Sequence, residues 1–167
     1  MLELDAEKIY RQLAQRARET FVGEKLKLVG VHTGGVWLAE RLKRDLDVAA
    51  PVGILDVSFY RDDFDQSGLK PDVRPSQIAF DVVGSHILLV DDVLNTGRTV
   101  RAAMNEIFDY GRPAKIDLAV LIDRGGRELP VAAGIVGATI ELPPDVAVVL
   151  VRDDDGRLHL TMEQRGD

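Results

Sequence analysis

The residues with the clearest capacity for chemistry run from Ile87 to Thr99, ILLVDDVLNTGRT. An apolar run delivers two adjacent carboxylates, Asp91 and Asp92, and then Asn95-Thr96-Gly97-Arg98-Thr99 leads into a helical pattern. Threonine hydroxyls and free N–H groups at a helix start suit a phosphate, and Gly97 lets the backbone approach closely. The aspartates are acceptors for vicinal sugar hydroxyls, or for a metal held beside them. A phosphate binder and a diol binder at this separation describe a ribose 5-phosphate site. A lone pair of acids after an apolar strand is most often a solvated strand end, and ILLVDD alone resembles the acidic pair of response-regulator receivers. In receivers the pair follows the first strand, whereas Asp91 lies past the middle of this chain, and TGRT has no role there. A nucleoside triphosphate P-loop is excluded because the chain has no Gly-Lys dipeptide.

Two further stretches occupy equivalent positions after apolar runs. They are His32-Thr33-Gly34-Gly35 and Asp123-Arg124-Gly125. In open α/β sheets ligands collect outside the carboxyl ends of the strands, so three such ends in one chain point to one site.

The elements that must position them follow from periodicity. Leu2 to Phe21 reads as an amphipathic helix with Asp5 as N-cap and Ile9, Leu13, Ala17 and Phe21 on one face. Leu26 to Val31 is a short buried strand, followed by a helix carrying Val36, Leu38, Ala39, Leu42 and Leu46. Val52 to Tyr60 reads as a strand, and residues 61–76 as a long polar loop of the functional kind. His86 to Val90 is continuously apolar, as in a parallel strand buried on both faces. From Thr99 the apolar residues Val100, Ala103, Met104, Ile107 and Phe108 keep helical spacing until Gly111 and Pro113 stop them. Lys115 to Asp123, Ile135 to Leu142 and Val146 to Arg152 read as strands, and Asp155-Gly156 turns into a last one, Leu158–Met162. The expected architecture is a single α/β domain over 1–167, a mostly parallel twisted sheet flanked by helices with a small antiparallel extension.

Composition narrows the function classes. The 167 residues carry 21 Lys+Arg against 28 Asp+Glu, a net charge of −7, which argues against a dedicated nucleic-acid binder. Zero cysteines exclude disulfides, thiolate zinc sites and a cysteine nucleophile. No apolar run approaches the roughly 18 residues of a membrane helix, and MLELDAEKIY does not read as an export signal, so the expectation is cytoplasmic. His32, His86 and His159 are too scattered for a zinc site, Trp37 reads as packing, and Asp153–Asp155 reads as a turn rather than a calcium loop.

With these residues in view, ILLVDDVLNTGRT resembles the phosphoribosyl-pyrophosphate (PRPP) signature of type I phosphoribosyltransferases. The wider matches, LVGVHTGGVWLAERL, VSFYRDDF and DRGGRELP, resemble its PyrR branch, regulators of pyrimidine operons that also have uracil phosphoribosyltransferase activity. The resemblance covers nearly the whole chain. It implies that Asp91 and Asp92 hold the ribose hydroxyls and that Asn95, Thr96, Gly97, Arg98 and Thr99 cradle the 5-phosphate. His32, Thr33, Gly34 and Gly35 would form the pyrophosphate loop. Arg61 would join the catalytic set at the start of a flap over about 61–76, with Tyr60, Asp62 and Asp63 at its hinge. Asp123, Arg124 and Gly125 would lie near the base. PRPP, uracil and UMP are the implied partners, with Mg²⁺ held mainly by PRPP rather than by a protein site, and a homo-oligomer is expected.

The chain departs from that pattern at Gly34, where the family usually has Arg, at Asn95 for Tyr, and at Gly126 for a frequent His. The missing guanidinium at Gly34 is a lost partner for pyrophosphate, so Gly34→Arg is expected to raise activity. Between Arg127 and Arg152 there is no Lys or Arg. RNA binding is therefore expected to be weak, salt-sensitive and without marked sequence preference.

Overall fold

A computed structural model describes residues 3–57 and 76–166. Helix α1 spans Ala6–Thr20, β1 Leu26–Val31, α2 Gly34–Asp45, β2 Gly53–Leu55 and β3 His86–Leu94. Helix α3 spans Arg98–Tyr110, followed by β4 Lys115–Asp123, β5 Ile135–Thr139, β6 Val146–Arg152 and β7 Leu158–Gln164. Five strands form one parallel sheet in the order β2-β1-β3-β4-β5, and β6 and β7 pair separately as an antiparallel ribbon.

Period-two alternation sends the sheet's side chains to two cores. Leu28, Leu88, Val90, Ala119 and Leu121 pack beneath α1 and α2. Val29, Ile87, Leu89 and Val120 face α3 through Val100, Ala103 and Ile107. The three central strands are thus covered on both faces, as their unbroken apolar sequences predict.

Several boundaries move from the sequence expectation, each for a pairing reason. Helix α1 begins at Ala6 rather than Leu2 because the Asp5 carboxylate accepts the Lys8 amide and caps it there. Strand β2 is limited to Gly53–Leu55, since β1 offers partners only through Val31; Ser58, Phe59 and Tyr60 lie outside the described residues. Strand β3 continues past Val90 to Leu94, because β4 supplies partners as far as Asp123. Strand β5 stops at Thr139, where β4 also ends, and β7 runs on to Gln164 opposite Val146.

Both strands that flank the reversal of strand order, β1 and β3, end at the same edge of the sheet. Gly30 is in register with Val90, which sets residues 32–35 beside the aspartate pair. Leu94 is in register with Asp123, which sets Asn95 beside Arg124 and Gly125.

Candidate functional site

Asp91 and Asp92 are inside β3 rather than beyond it, and both are buried, at 2% and 8% exposure. Each carboxylate accepts the next amide along the chain: Asp92 N–H donates to Asp91 Oδ1 and Val93 N–H to Asp92 Oδ1, both at 2.8 Å. The acids are therefore held in fixed orientation while facing a pocket. This differs from the ordinary solvated strand end, whose carboxylates are exposed.

That pocket is lined by Asp91, Asp92 and Val93 of β3, by Asn95 and Thr99 of the following loop and helix, and by Arg124 after β4. Its far wall is Ala147, Val148 and Val149 of β6, with Arg165 just past β7. The antiparallel ribbon thus forms one side of the cavity.

The loop 95–99 is built from outside as well as within. Thr96 O accepts the amides of Glu128 and Leu129 at 2.9 and 3.1 Å. Arg127 donates to Asn95 O at 2.9 Å, to Val131 O at 3.0 Å and to Asp123 Oδ2 at 2.7 Å. Gly97 precedes α3 with φ +95°, in the left-handed region that glycine tolerates. Thr96 Oγ1 accepts the Arg98 amide within the loop, and the Arg98 side chain turns out to Glu128. Thr99, unlike Thr96, lines the pocket.

The glycine turn after β1 lies against the acids. A Cβ at Gly34 would stand 2.5 Å from Asp92 Oδ2, and one at Gly35 would stand 2.4 Å from Val90 O. Both are in ordinary helical backbone at the start of α2, so glycine is required for closeness. The His32–Thr33 peptide is cis.

The stretch Asp123–Gly125 divides. Arg124 is buried, donates to Val146 O and Pro143 O, and lines the pocket. Asp123 is directed to Arg127 and to the Gly125 amide. Burial pushes the Asp123 carboxyl up, but the Arg127 hydrogen bond and charge and the Gly125 amide together hold it below its ordinary value. Asp123 is thus an anchor between the two loops, and neither it nor Gly125 lines the pocket.

Tyr60, Arg61, Asp62, Asp63 and the 61–75 part of the expected flap lie outside the described residues. Sequence reasoning passed over Arg165 and the β6 wall. No spacing marks Arg165 in the C-terminal segment, and Ala147–Val149 read only as a strand.

Two departures from the family pattern meet in space. A Cβ at Gly126 would lie 2.7 Å from Asn95 Oδ1, and Gly126 has φ +79°. The Asn95 side chain thus lies over the position that has no side chain. Among the described residues no group of three His, Cys, Asp or Glu is arranged to hold a metal, and no helix is long and apolar enough to cross a membrane.

The phosphoribosyl transferase domain family matches residues 2–155 of the chain. The chain belongs to that family. Among curated relatives, a bifunctional protein PyrR of Nitrosococcus oceani is 49% identical over 158 residues, 92% of this chain and 89% of the relative. Another from Pseudomonas aeruginosa is 56% identical over 128 residues, covering 77% of this phosphoribosyltransferase and 75% of the relative. In fold, a hypoxanthine-guanine phosphoribosyltransferase of Bacillus anthracis matches with TM-score 0.64 at 21% identity, over 87% of this chain and 84% of that one. An asparagine mutant made to study an invariant aspartic acid in HPRTs matches with TM-score 0.65 at 27% identity, covering 86% and 81%. The mostly parallel sheet with a small antiparallel extension expected from sequence is found as five parallel strands and a two-stranded ribbon, the phosphoribosyltransferase fold.

Proposed function

We propose that this phosphoribosyltransferase is a PyrR-like enzyme that makes UMP and pyrophosphate from uracil and PRPP. The observation that carries the reading is the buried Asp91–Asp92 pair facing one pocket with Asn95 and Thr99, in a chain 49% identical to a bifunctional protein PyrR. Asp91 and Asp92 accept hydrogen bonds from the ribose 2- and 3-hydroxyls. Thr99, with the free amides at the start of α3, takes the 5-phosphate. Residues 32–35, packed against Asp92, offer backbone amides to the pyrophosphate. Arg124 lies on the base side, and Arg61 completes the catalytic set.

The reaction is displacement at the anomeric carbon. The N1–C1′ bond forms as the bond from C1′ to the pyrophosphate oxygen breaks, and the N1 proton leaves to solvent or a base. The protein's part is to hold the reactants in line and to stabilise charge leaving with pyrophosphate. The carboxylates of Asp91 and Asp92 are hard oxygen donors of the type Mg²⁺ takes, which fits a metal that enters on PRPP. When bound, Mg²⁺ supplies neutralisation of the pyrophosphate charge. The reading places the enzyme in the cytoplasm as a homo-oligomer.

A second reading has support in the name that the relatives bear, bifunctional: a UMP-responsive attenuator of pyrimidine genes that binds RNA. The experiment that tests the enzymatic reading is a Mg²⁺- and PRPP-dependent conversion assay over uracil, cytosine, hypoxanthine and guanine. UMP formation from uracil alone is expected. Preferred use of a purine, or no turnover with any base, overturns it.

A further inference from the structure

Just beyond β7 the chain returns to the pocket and presents Arg165 to it. Its backbone N–H donates to Asp145 O at 2.6 Å, which fixes the residue beside the start of β6. Its Nε is buried and hydrogen-bonds to nothing among the described residues. Buried polar groups in native structures are almost always paired, and each exception calls for a cause. Here the residue that carries the unmatched donor lines a cavity, so a bound molecule can supply an acceptor to its guanidinium.

The neighbouring Arg124 differs in this respect. Its guanidinium holds the carbonyls of Val146 and Pro143 and so fastens the ribbon to the sheet. Arg165 is the pocket arginine whose buried Nε lacks a partner among the described residues.

The surroundings select the kind of acceptor. The phosphate end of the pocket is Thr99 and the start of α3, and the sugar end is Asp91 and Asp92. Arg165 instead shares its wall with Ala147, Val148 and Val149, an apolar strand surface suited to the face of a flat ring. A planar guanidinium beside such a surface can donate in the plane of that ring. We propose that Arg165 is a specificity-determining residue that donates a hydrogen bond to a ring carbonyl oxygen of the pyrimidine. The inference rests on the proposed UMP-forming function and adds to it the residue that reads the base.

The test is calorimetric titration of the parent, Arg165→Gln and Arg165→Lys with UMP, uridine and ribose 5-phosphate, with melting temperature as a control for folding. In Arg165→Gln, UMP and uridine should each bind about tenfold or more weaker while ribose 5-phosphate binds as in the parent. Arg165→Lys should recover only part of the loss, because an ammonium lacks the planar fork. Equal affinity of parent and Arg165→Gln for UMP, equal loss for ribose 5-phosphate, or full recovery by lysine each overturns the assignment. A parent that binds ribose 5-phosphate but not UMP overturns the pyrimidine reading itself, independently of the variants.

Discussion

Gly34 packs directly against the Asp92 carboxyl group, so that a Cβ there would come within 2.5 Å of Oδ2 and 3.0 Å of Asp92 Cβ. From sequence, the absence of arginine at this position reads as a missing charge whose restoration should raise activity. The structure gives glycine a steric task instead. Any side chain at residue 34 displaces the Asp92 carboxylate from the orientation set by the Val93 amide. Both Gly34→Ala and Gly34→Arg are therefore expected to weaken UMP binding and to cost stability, by about 1–3 kcal/mol for overpacking. Calorimetry on the two variants checks this, and a Gly34→Arg protein that turns over faster than its parent contradicts it.

The carboxylate pair itself can be tested without disturbing the strand. Asparagine keeps an oxygen to accept the amides of Asp92 and Val93, so Asp91→Asn with Asp92→Asn should melt close to the parent. Hydrogen bonds to a charged group contribute about 1.5–3 kcal/mol each, which predicts a loss above tenfold in UMP affinity. Unchanged affinity would separate the pair from the ribose. Acetyl phosphate should label neither aspartate; labelling would favour a receiver, which shares a 2-1-3-4-5 strand order.

The two threonines of the loop are expected to behave differently. Thr99 lines the pocket, whereas Thr96 Oγ1 accepts the Arg98 amide and orders the loop. Thr99→Val should weaken UMP about tenfold and leave uridine nearly unchanged. Equal losses for nucleotide and nucleoside would show that Thr99 does not read phosphate.

How far the sequence reached depends on the range of the interactions. The three strand ends and both helices around the site were legible, because their signals are local: apolar runs, glycines and capping residues within a few positions. The same locality explains the misses. The apolar run His86 to Val90 ends four residues short of β3's own end because Asp91 and Asp92 look like solvent-facing residues until β4 is seen beside them. Asp123 stands at the right strand end, yet Arg127 turns it away from the pocket, and no local pattern reveals an ion pair of that kind. The meeting of Asn95 with Gly126 and the return of Arg165 to the pocket are long-range packing facts. They required the fold.

Glu7 is expected to give the attachment of the β6–β7 ribbon a pH dependence. Its carboxylate takes two hydrogen bonds from Arg41, at 2.7 and 3.0 Å, and one from the Leu158 amide at 2.7 Å; Arg41 also donates to Gly156 O. These bonds tie α1 and α2 to the β6–β7 turn. The Arg41 hydrogen bond, against the opposing effect of burial, holds the Glu7 carboxyl below its ordinary value. A carboxyl with a lowered folded pKa contributes stability above its unfolded pKa, and that contribution disappears as pH falls through the folded value. Glu7→Gln should thus cost about 1 kcal/mol at neutral pH, a fall of about 2–4 °C in melting temperature. The gap from the parent should narrow as pH falls below the ordinary glutamate range and close once it is below the lowered folded value. A gap of the same size at every pH would assign the effect to packing rather than charge.

RNA affinity is the property on which the enzymatic and attenuator readings differ most. The clustered basic residues of α1, α2 and the stretch after β4, the candidates for an RNA surface, are Lys8, Arg11, Arg16, Arg18, Arg41, Lys43, Arg44, Arg124 and Arg127. The fold occupies several of them. Arg16 donates to the carbonyls of Val136 and Gly137, Arg41 is bound to Glu7, Arg124 secures the ribbon, and Arg127 joins the site loops. Lys8, Arg11, Arg18, Lys43 and Arg44 remain on α1 and α2, among Glu7, Glu19, Glu40 and Asp45. Each phosphate neutralised on a single strand contributes a salt slope of about −0.7, and few can be engaged by so divided a surface. Binding to a pyrimidine-operon leader should accordingly be weak near physiological salt, no tighter than to a scrambled control, and unaltered by UMP. Filter-binding titrations over a salt series measure all three. Tight binding to the leader alone, strengthened by UMP, would reverse the order of the two readings and make nucleotide binding the signal rather than the product.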